Sequence, residues 1–147
     1  MTNDLGGPPD GGWASLVPEL AVTDLEASLA FWLDLLGFGI AYRRPAEKFV
    51  YLQCQGAQVM LCERNGRYET GRMQPPFGQG AMFQIYLDSI DPILAALDAA
   101  DWPLYEPPAE TWYGVGDEET GLRKFFVQDP DGYLLMIGER LGGRPAL

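Results

Sequence analysis

Hydrophobic and polar residues follow one another along this chain in a pattern that occurs twice. Each copy begins with a short alternating stretch, continues with apolar residues at helical spacing, and ends in apolar runs separated by turns. Alternation with a period of two is typical of a strand with one buried face, whereas i, i+3, i+4 spacing is typical of an amphipathic helix. The pattern predicts an α+β protein built from two βαβββ modules.

The first copy covers residues 15–64. Thr23 or Asp24 is expected to cap its helix, in which Leu25, Leu29, Trp32, Leu33 and Leu36 recur at helical spacing. Gly37 follows the last of these residues and is expected to end the helix. The predicted strands lie at 16–22, 38–43, 49–54 and 58–63.

The second copy covers residues 81–141. It contains a predicted helix at 90–99 and closes with a hairpin whose turn is Asp129-Pro130-Asp131-Gly132, because Pro fixes φ, Asp bonds its own backbone and Gly accepts positive φ. Residues 107–121 are predicted to form a long loop. The predicted strands lie at 82–88, 102–105, 122–128 and 133–138.

The segments outside the modules are rich in Gly and Pro. Residues 1–14 are predicted to form a flexible arm, 65–80 a mobile linker and 142–147 a tail. The modules share an internal repeat, because 20–25 align with 85–90 at an offset of 65, and 58–63 align with 134–139 at an offset of 76. Residues 15–141 are therefore predicted to be a single domain.

Composition excludes several classes of function. The net charge is −11, with 21 acidic and 10 basic residues, which argues against nucleic acid and favours solubility or the steering of cations. Histidine is absent, which excludes a Ser-His-Asp triad and His-ligated metals. No apolar stretch approaches the length of a membrane span. Cys54 and Cys62 are interpreted as buried thiols, and a cytoplasmic location is expected.

Two motifs carry a resemblance to a known family. The stretch from Asp24 to Trp32 leads into Leu35-Leu36-Gly37-Phe38, and the closing hairpin reads Asp129-Pro130-Asp131-Gly132-Tyr133-Leu134-Leu135. With the two βαβββ modules, they resemble the glyoxalase / bleomycin resistance / extradiol dioxygenase superfamily, the vicinal oxygen chelate fold, over about residues 15–141. The resemblance implies that each module forms a half-barrel whose concave face lines a cavity.

Enzymes of that superfamily place metal ligands on the first and last strands of a module. The resemblance assigns these positions to Val17, Met60, Met82 and Met136, none of which is the expected His, Gln or Glu. A thioether is a poor ligand for hard divalent metals, so no metal and no cofactor are expected. These methionines are equally explained by core packing.

Period-two alternation from these positions defines the rest of the expected ligand-binding face. It adds Glu19, Gln58, Gln84 and Tyr86 as polar contacts. The opposite faces are expected to pack on the helices with Leu20, Val22, Val59, Leu61, Phe83, Ile85, Leu135 and Ile137. Aromatic stacking groups are expected from Trp32, Tyr86, Trp112 and Tyr113, although Trp112 and Tyr113 are equally explained by packing. Glu19 and Asp117 are candidate charge partners.

The resemblance is strongest to the bleomycin resistance branch, in which acidic dimers sequester a cationic glycopeptide antibiotic unaltered. The chain is therefore expected to be a metal-free homodimer that binds a bulky small molecule in a cleft between subunits, with no catalytic residue. The arm is long enough to cross to the partner subunit.

Two alternatives stay open. The chain could be a metal-independent lyase or isomerase of the same superfamily, acting on a small carbonyl compound with Glu19 as a general base in a low-dielectric pocket. It could also be a structural or regulatory domain whose cavity is filled by its own side chains.

Overall fold

A computed structural model describes residues 4–147. The chain divides into two compact units, one that ends at Phe77 and one that begins at Gly78. The division falls inside the predicted linker, and the limits of the predicted arm, modules and tail stay predictions. Each unit contains one sheet and one main helical segment, which confirms the α+β class.

The first unit contains a five-stranded sheet in the order β1-β3-β4-β5-β2. Strand β2 runs parallel to β5, while the other neighbours are antiparallel. A 3₁₀ turn, Pro45–Glu47, joins β3 to β4. The strands are β1 (Leu5–Gly6), β2 (Glu19–Val22), β3 (Gly39–Arg44), β4 (Phe49–Cys54) and β5 (Ala57–Glu63).

Helix α1 (Leu25–Leu29) continues as a π-helix, Ala30–Leu35. The Asp24 side chain accepts a hydrogen bond from the backbone N–H of Ala27 at 3.2 Å, so Asp24 is the N-cap. Gly37, with φ at 79°, ends the segment as predicted, since positive φ costs glycine little.

The second unit contains a four-stranded sheet in the order β6-β9-β8-β7. Strand β6 is parallel to β9, and the other pairs are antiparallel. Helix α2 (Asp91–Ala99) follows β6, with Pro92 in its first turn. The strands are β6 (Met82–Tyr86), β7 (Glu106–Val115), β8 (Glu118–Gln128) and β9 (Leu134–Pro145).

The strand pairing confirms the internal repeat. In the first unit Leu20 lies opposite Leu61, and in the second Ile85 lies opposite Ile137. These pairs are related by the sequence offsets of 65 and 76 that the two alignments gave. Strand β2 therefore pairs with β5 in the same parallel register as β6 pairs with β9.

Two predictions for the second unit are wrong. Residues 102–105 form no strand, and most of the predicted loop at 107–121 belongs to the β7–β8 hairpin. The β-forming residues from Thr111 to Val115 pair with β8 and outweigh the loop signal of Pro107-Pro108. The pairing shifts between Glu106 and Ala109, which accommodates those prolines at the edge of the sheet.

The closing turn follows the prediction. Asp129 Oδ1 accepts hydrogen bonds from the backbone N–H groups of Asp131 at 3.0 Å and Tyr133 at 2.9 Å. Gly132 has φ at 96°. Asp129 therefore bonds the local backbone and Gly132 supplies the positive φ, as turn chemistry requires.

Each sheet has a helix face and a face on the opposite side, which we call the outer face. The helix faces hold most of the apolar core, and burying one such side chain contributes about 1.5–3 kcal/mol. Phe83 is half-buried, and the other side chains predicted to face the helices are at most 7% exposed: Leu20, Val22, Val59, Leu61, Ile85, Leu135 and Ile137.

The described part of the arm, residues 4–14, lies against the sheet of the first unit. Leu5 and Gly6 pair with Arg43 and Tyr42 of β3. The backbone N–H of Gly7 donates to Ala41 O at 3.0 Å. Within residues 4–147, no helix is long and apolar enough to cross a membrane.

Candidate functional site

Most of the predicted site residues lie on the outer faces, although their role as a site stays a prediction. Glu19 lies opposite Met60 in the first unit, and Gln84 lies opposite Met136 in the second. These two pairs occupy equivalent positions of the repeat. Alternate residues of a strand lie on the same face. Gln58 therefore lies on the outer face of the first unit, and Met82, Tyr86 and Tyr113 lie on the outer face of the second.

Two predicted stacking residues lie elsewhere. Trp32 is 1% exposed and packs edge-to-face against Phe31 and Phe38, so its ring belongs to the core of the first unit. Trp112 is adjacent to Tyr113 in β7, and neighbouring strand residues point to opposite faces. Trp112 lies under Arg144 at 3.8 Å and donates to Glu110 Oε1 at 2.9 Å. Only Tyr113 of the adjacent pair therefore lies on the outer face.

The outer face of the first unit is aromatic. The rings of Tyr42 and Tyr51 are stacked, with centroids 5.1 Å apart and an interplanar angle of 20°. Phe49 extends the row beside Tyr42, and Arg44 lies over both of these rings. Trp13 of the arm meets Tyr42 at 6.0 Å and Tyr51 at 5.4 Å, edge-to-face in both cases. The arm thus covers part of this face with its own indole ring.

Gln58 holds the backbone of the arm. Its Nε2 donates to Gly12 O at 2.8 Å, and its Oε1 accepts from the backbone N–H of Ala14 at 2.9 Å. The hydroxyl of Tyr51 donates to the same Oε1. The backbone N–H of Asp10 donates to Gln53 Oε1 at 2.6 Å. Gln58, one of the polar groups predicted to contact a ligand, is therefore bonded to the chain itself.

Burial changes the acid–base behaviour of this face. Desolvation raises the pKa of Tyr51 above its ordinary value, and the neighbouring Tyr42 raises it further. Desolvation also raises the pKa of Cys62, with Glu19 adding to the effect. Both groups are therefore held in their neutral forms near neutral pH.

The outer face of the second unit presents a different set of groups. The Arg140 guanidinium lies 3.9 Å from the centroid of the Tyr86 ring. The Tyr86 hydroxyl donates to Gln84 Oε1 at 2.5 Å. Both Gln84 and Arg140 are exposed. A cation, a phenol and an amide thus meet on this face at the β6–β9 pair.

A second cation lies on the same face. Lys124 Nζ is 4.8 Å from the centroid of the Tyr113 ring and 5.7 Å from that of Phe126. It also donates to the Tyr113 hydroxyl. Cation–π contacts of this kind are worth about 0.5–1 kcal/mol when exposed. The two cations flank one row of the sheet.

Gly138 lies between them. It pairs with Tyr86 on one side and with Lys124 on the other, so these three residues form one row across β6, β9 and β8. A Cβ at Gly138 would lie 3.4 Å from Met136 Cε and 3.5 Å from Lys124 Cβ. These are ordinary contact distances and Gly138 is buried, so neighbouring side chains already close over the row at this point.

The predicted carboxylate partners are exposed. Glu19 is solvent-exposed in the first unit, so the low-dielectric pocket expected around it is not found there. Asp117 lies at the exposed tip of the β7–β8 hairpin, where its carbonyl accepts from the backbone N–H of Ala146 at 3.2 Å. Across residues 4–147, no group of three or more Cys, Asp or Glu side chains is arranged to hold a metal ion.

Sequence reasoning missed Lys124, Phe126 and Arg140 on the second outer face. The alternation from Leu122 to Gln128 carried the signal for the first two. Arg140 was missed because β9 was predicted to end at Gly138, although it continues the period-two series from Met136. The contact of Trp13 with the Tyr42–Tyr51 pair left no signal in the pattern, because the arm has no periodicity.

The family of the chain follows from a sequence comparison. The profile of the Glyoxalase/Bleomycin resistance protein/Dioxygenase superfamily matches residues 14–137. This chain belongs to that superfamily, and the fold is the vicinal oxygen chelate fold that the motifs predicted. No curated protein matches the sequence.

Solved structures support the fold. TioX from Micromonospora sp. ML1 is similar with a TM-score of 0.65 and 23% identity, over 88% of this chain and 100% of that one. A glyoxalase/bleomycin resistance protein/dioxygenase from Alicyclobacillus acidocaldarius gives 0.60 and 21%, over 87% and 92%. Lactoylglutathione lyase from Agrobacterium tumefaciens gives 0.54 and 20%, over 90% and 95%. At these identities the likeness shows the fold alone.

Proposed function

We propose that the protein binds a bulky aromatic small molecule without altering it, as the resemblance to bleomycin resistance proteins implies. The observation that carries this proposal is the outer face of the second unit. There Arg140 and Lys124 lie on the rings of Tyr86, Tyr113 and Phe126, beside the exposed Gln84 amide. Aromatic surface with a few polar groups is typical of a small-molecule site.

The positions that would hold a metal in enzymes of the superfamily support binding without one. Val17, Met60, Met82 and Met136 offer no hard ligand. We therefore propose that ligand recognition relies on stacking and hydrogen bonds. The free cysteines, Cys54 and Cys62, fit the predicted cytoplasmic location.

We also propose that the protein is a homodimer with the ligand between its subunits. Exposed apolar side chains at Leu5, Leu16, Val115 and Leu141 support an interface, because burying them removes apolar surface from water. Sedimentation velocity tests this part of the proposal. A monomer at micromolar concentration would contradict the homodimer, but it would not contradict binding at the outer face of the second unit.

Isothermal titration with bleomycin, phleomycin and naphthoate tests the binding proposal, followed by chromatography of each recovered compound. We expect heat from at least one of them, with the compound returned unchanged. No heat and no thermal shift at millimolar concentration would contradict binding. A consumed compound would favour the alternative enzyme, and loss of turnover in Glu19→Gln would then assign the base.

A further inference from the structure

We propose that two copies of this chain pair through the free edge of β7, the side of the strand that faces away from β8, with Trp112 of one copy opposite Trp112 of the other. The pairing adds strand to strand and joins the two four-stranded sheets into one. The inference deepens the proposed function, because it rests on the proposed homodimer and assigns its interface.

The second unit has a longer sheet edge than the first. Arg44 pairs with Phe49 in the first unit, and Ala109 pairs with Lys124 at the equivalent place in the second. A short turn connects the first pair, whereas residues 110–123 connect the second and lengthen the β7–β8 hairpin. None of the β7 residues in this added stretch is buried. Packing within the unit therefore does not account for it.

The edge of β7 from Ala109 to Val115 carries little protection against strand pairing. In the first unit, the arm adds strand β1 to the edge strand β3. In the second, Pro107-Pro108 stand at the equivalent end of β7, where they cannot donate an N–H to an added strand. Beyond them no Lys, Arg or Pro interrupts the strand, and within residues 4–147 β7 pairs with β8 alone. Exposed edges usually carry such residues, so this stretch is open to a second strand.

The turn of the hairpin determines which backbone groups face the free edge. Gly116 and Asp117 form a two-residue turn between the paired residues Val115 and Glu118, and Gly116 has φ at 62°. The pair that flanks such a turn is hydrogen-bonded across the hairpin, and hydrogen-bonded pairs then alternate along the strands. The backbone groups that face the free edge consequently belong to Glu110, Trp112 and Gly114.

The two aromatic side chains of this stretch lean away from the free edge. The Trp112 ring lies on Gly121 of β8, where an added Cβ would be 2.7 Å from it. The hydroxyl of Tyr113 accepts a hydrogen bond from Lys124, which also belongs to β8. An approaching strand therefore meets the backbone of β7 rather than its bulky side chains.

The outward-facing residues are complementary to themselves. When Trp112 lies opposite Trp112, Glu110 of each copy lies opposite Gly114 of the other, and all three residues of both copies gain backbone partners. A register centred on Glu110 would instead place two carboxylates side by side, which is destabilising. The two-fold axis through the Trp112 pair closes the assembly as a dimer. A second copy of the chain is thus the strand that this edge fits.

Charges near the interface allow this register and limit its strength. The next carboxylate in the row of Glu110 is Glu119 of the other copy, two strand spacings or about 10 Å away, and Arg144 donates to Glu119 at 2.8 Å. The ends of the pairing bring Asp117 of one copy towards Glu106 of the other. Because each copy also has a net charge of −11, we expect salt to strengthen the dimer.

The pairing also relates the interface to the proposed binding face. The two-fold axis of an antiparallel strand pair is perpendicular to the sheet, so both outer faces lie on one side of the joined sheet. Tyr113 lies on that face next to Trp112, so the Tyr113 rings of the two copies flank the axis. A ligand between the subunits would therefore contact the same surface in both copies.

Sedimentation velocity of Glu110→Pro over a range of concentrations tests the pairing. The N–H of Glu110 faces the free edge, so its loss leaves the β8 pairing intact and removes two hydrogen bonds from the dimer. We expect the dimer Kd to rise at least about tenfold. Glu110→Thr is the matched control, because it removes the same carboxylate and keeps the N–H. Its Kd should stay within about threefold, and circular dichroism should show both variants folded.

Hydrogen exchange above and below the dimer Kd tests the register. The amides of Glu110, Trp112 and Gly114 should be protected only in the dimer, whereas those of Thr111 and Tyr113, bonded to β8, should not change. A dimer that Glu110→Pro does not weaken, with exchange at these amides independent of concentration, would overturn the β7 interface while the proposed homodimer stands. A monomer at every concentration would contradict both and would leave the edge to an extended segment of another protein.

Discussion

The two outer faces have the same topology and register but different contents. Where the first unit has Gln58, Cys62 and Phe49, the equivalent positions of the second have Leu134, Gly138 and Lys124. In the first unit, Gln58 and the aromatic row hold the arm of the chain itself. In the second, the buried Gly138 has no side chain and Lys124 supplies a charge beside the Tyr113 ring.

The difference shows that the repeated fold fixes positions and that a few side chains decide their use. The side-chain amide of Gln58 can bond backbone groups only where an extended segment lies across it, and here that segment is the arm. Leucine at the equivalent place cannot do so. Leu134 therefore clamps no backbone on the second face, although the neighbouring Met136 is 1% exposed.

The two methionines at equivalent positions should separate the units most strongly. Met136 is 1% exposed, whereas Met60 is half-buried. Met136→Ala should lower the free energy of unfolding by about 2–5 kcal/mol through lost packing and a cavity. Met60→Ala should cost clearly less. Urea denaturation of both variants checks this, and equal losses of unfolding free energy would contradict the unequal burial of the two methionines.

Replacing Gln58 by the residue at the equivalent position of the second unit should release the arm. Gln58→Leu removes three hydrogen bonds, to Gly12, Ala14 and Tyr51, and should cost about 1–3 kcal/mol. Hydrogen exchange should then become faster at the amide of Ala14. Gln84→Leu, at an exposed position, is the control and should leave the arm unchanged. An arm still protected in Gln58→Leu would show that its clamp lies elsewhere.

High pH should loosen the contact between Tyr51 and Gln58 on the first face. The folded pKa of Tyr51 is raised, so its stabilising effect is complete below about pH 10 and is lost as the pH rises through the raised pKa. An ionised Tyr51 can no longer donate to Gln58. We expect a smaller loss of stability above pH 10 in Tyr51→Phe than in the parent chain. Parallel pH profiles of melting temperature would contradict this role.

Acid should produce the smallest change in stability, through the contacts of Glu63 with Lys48 and with the start of α1. Glu63 accepts from Lys48 at 3.0 Å and from the backbone N–H of Leu25 at 3.2 Å, and the Lys48 bond is the main cause that lowers its pKa. Its contribution is present above about pH 4.5 and is lost as the pH falls through the lowered pKa. Glu63→Gln should remove this acid-dependent part of the melting temperature, with Glu47→Gln as the exposed control. A full acid dependence in Glu63→Gln would contradict it.

The sequence predicted most of the fold because the repeat and the turn chemistry act locally. The alternation around Leu20 and Ile85 and the turn at Asp129 depend on neighbours in the chain, which a pattern can display. The β7–β8 hairpin was missed because prolines and glycines in 107–121 signal a loop. The hairpin forms because β8 also pairs with β9, and such pairing between strands distant in sequence leaves no local signal.

The composition of the two faces was less predictable. The methionine and glutamine positions followed from alternation, but the partners of those side chains depend on tertiary contacts. Gln58 meets backbone more than forty residues away, at Gly12 and Ala14. Trp32 showed why an aromatic residue on a helix is a weak site signal, since its ring fills the core.

Hydrogen exchange measured with and without naphthoate tests the central claim most directly, because it compares both faces in one experiment. We predict added protection at 82–86, 122–128 and 134–140, around Gly138, with the arm amides of Asp10 and Ala14 unchanged. Added protection confined to 49–63, with faster exchange in the arm, would show that the ligand displaces the arm from the first face and would contradict the account.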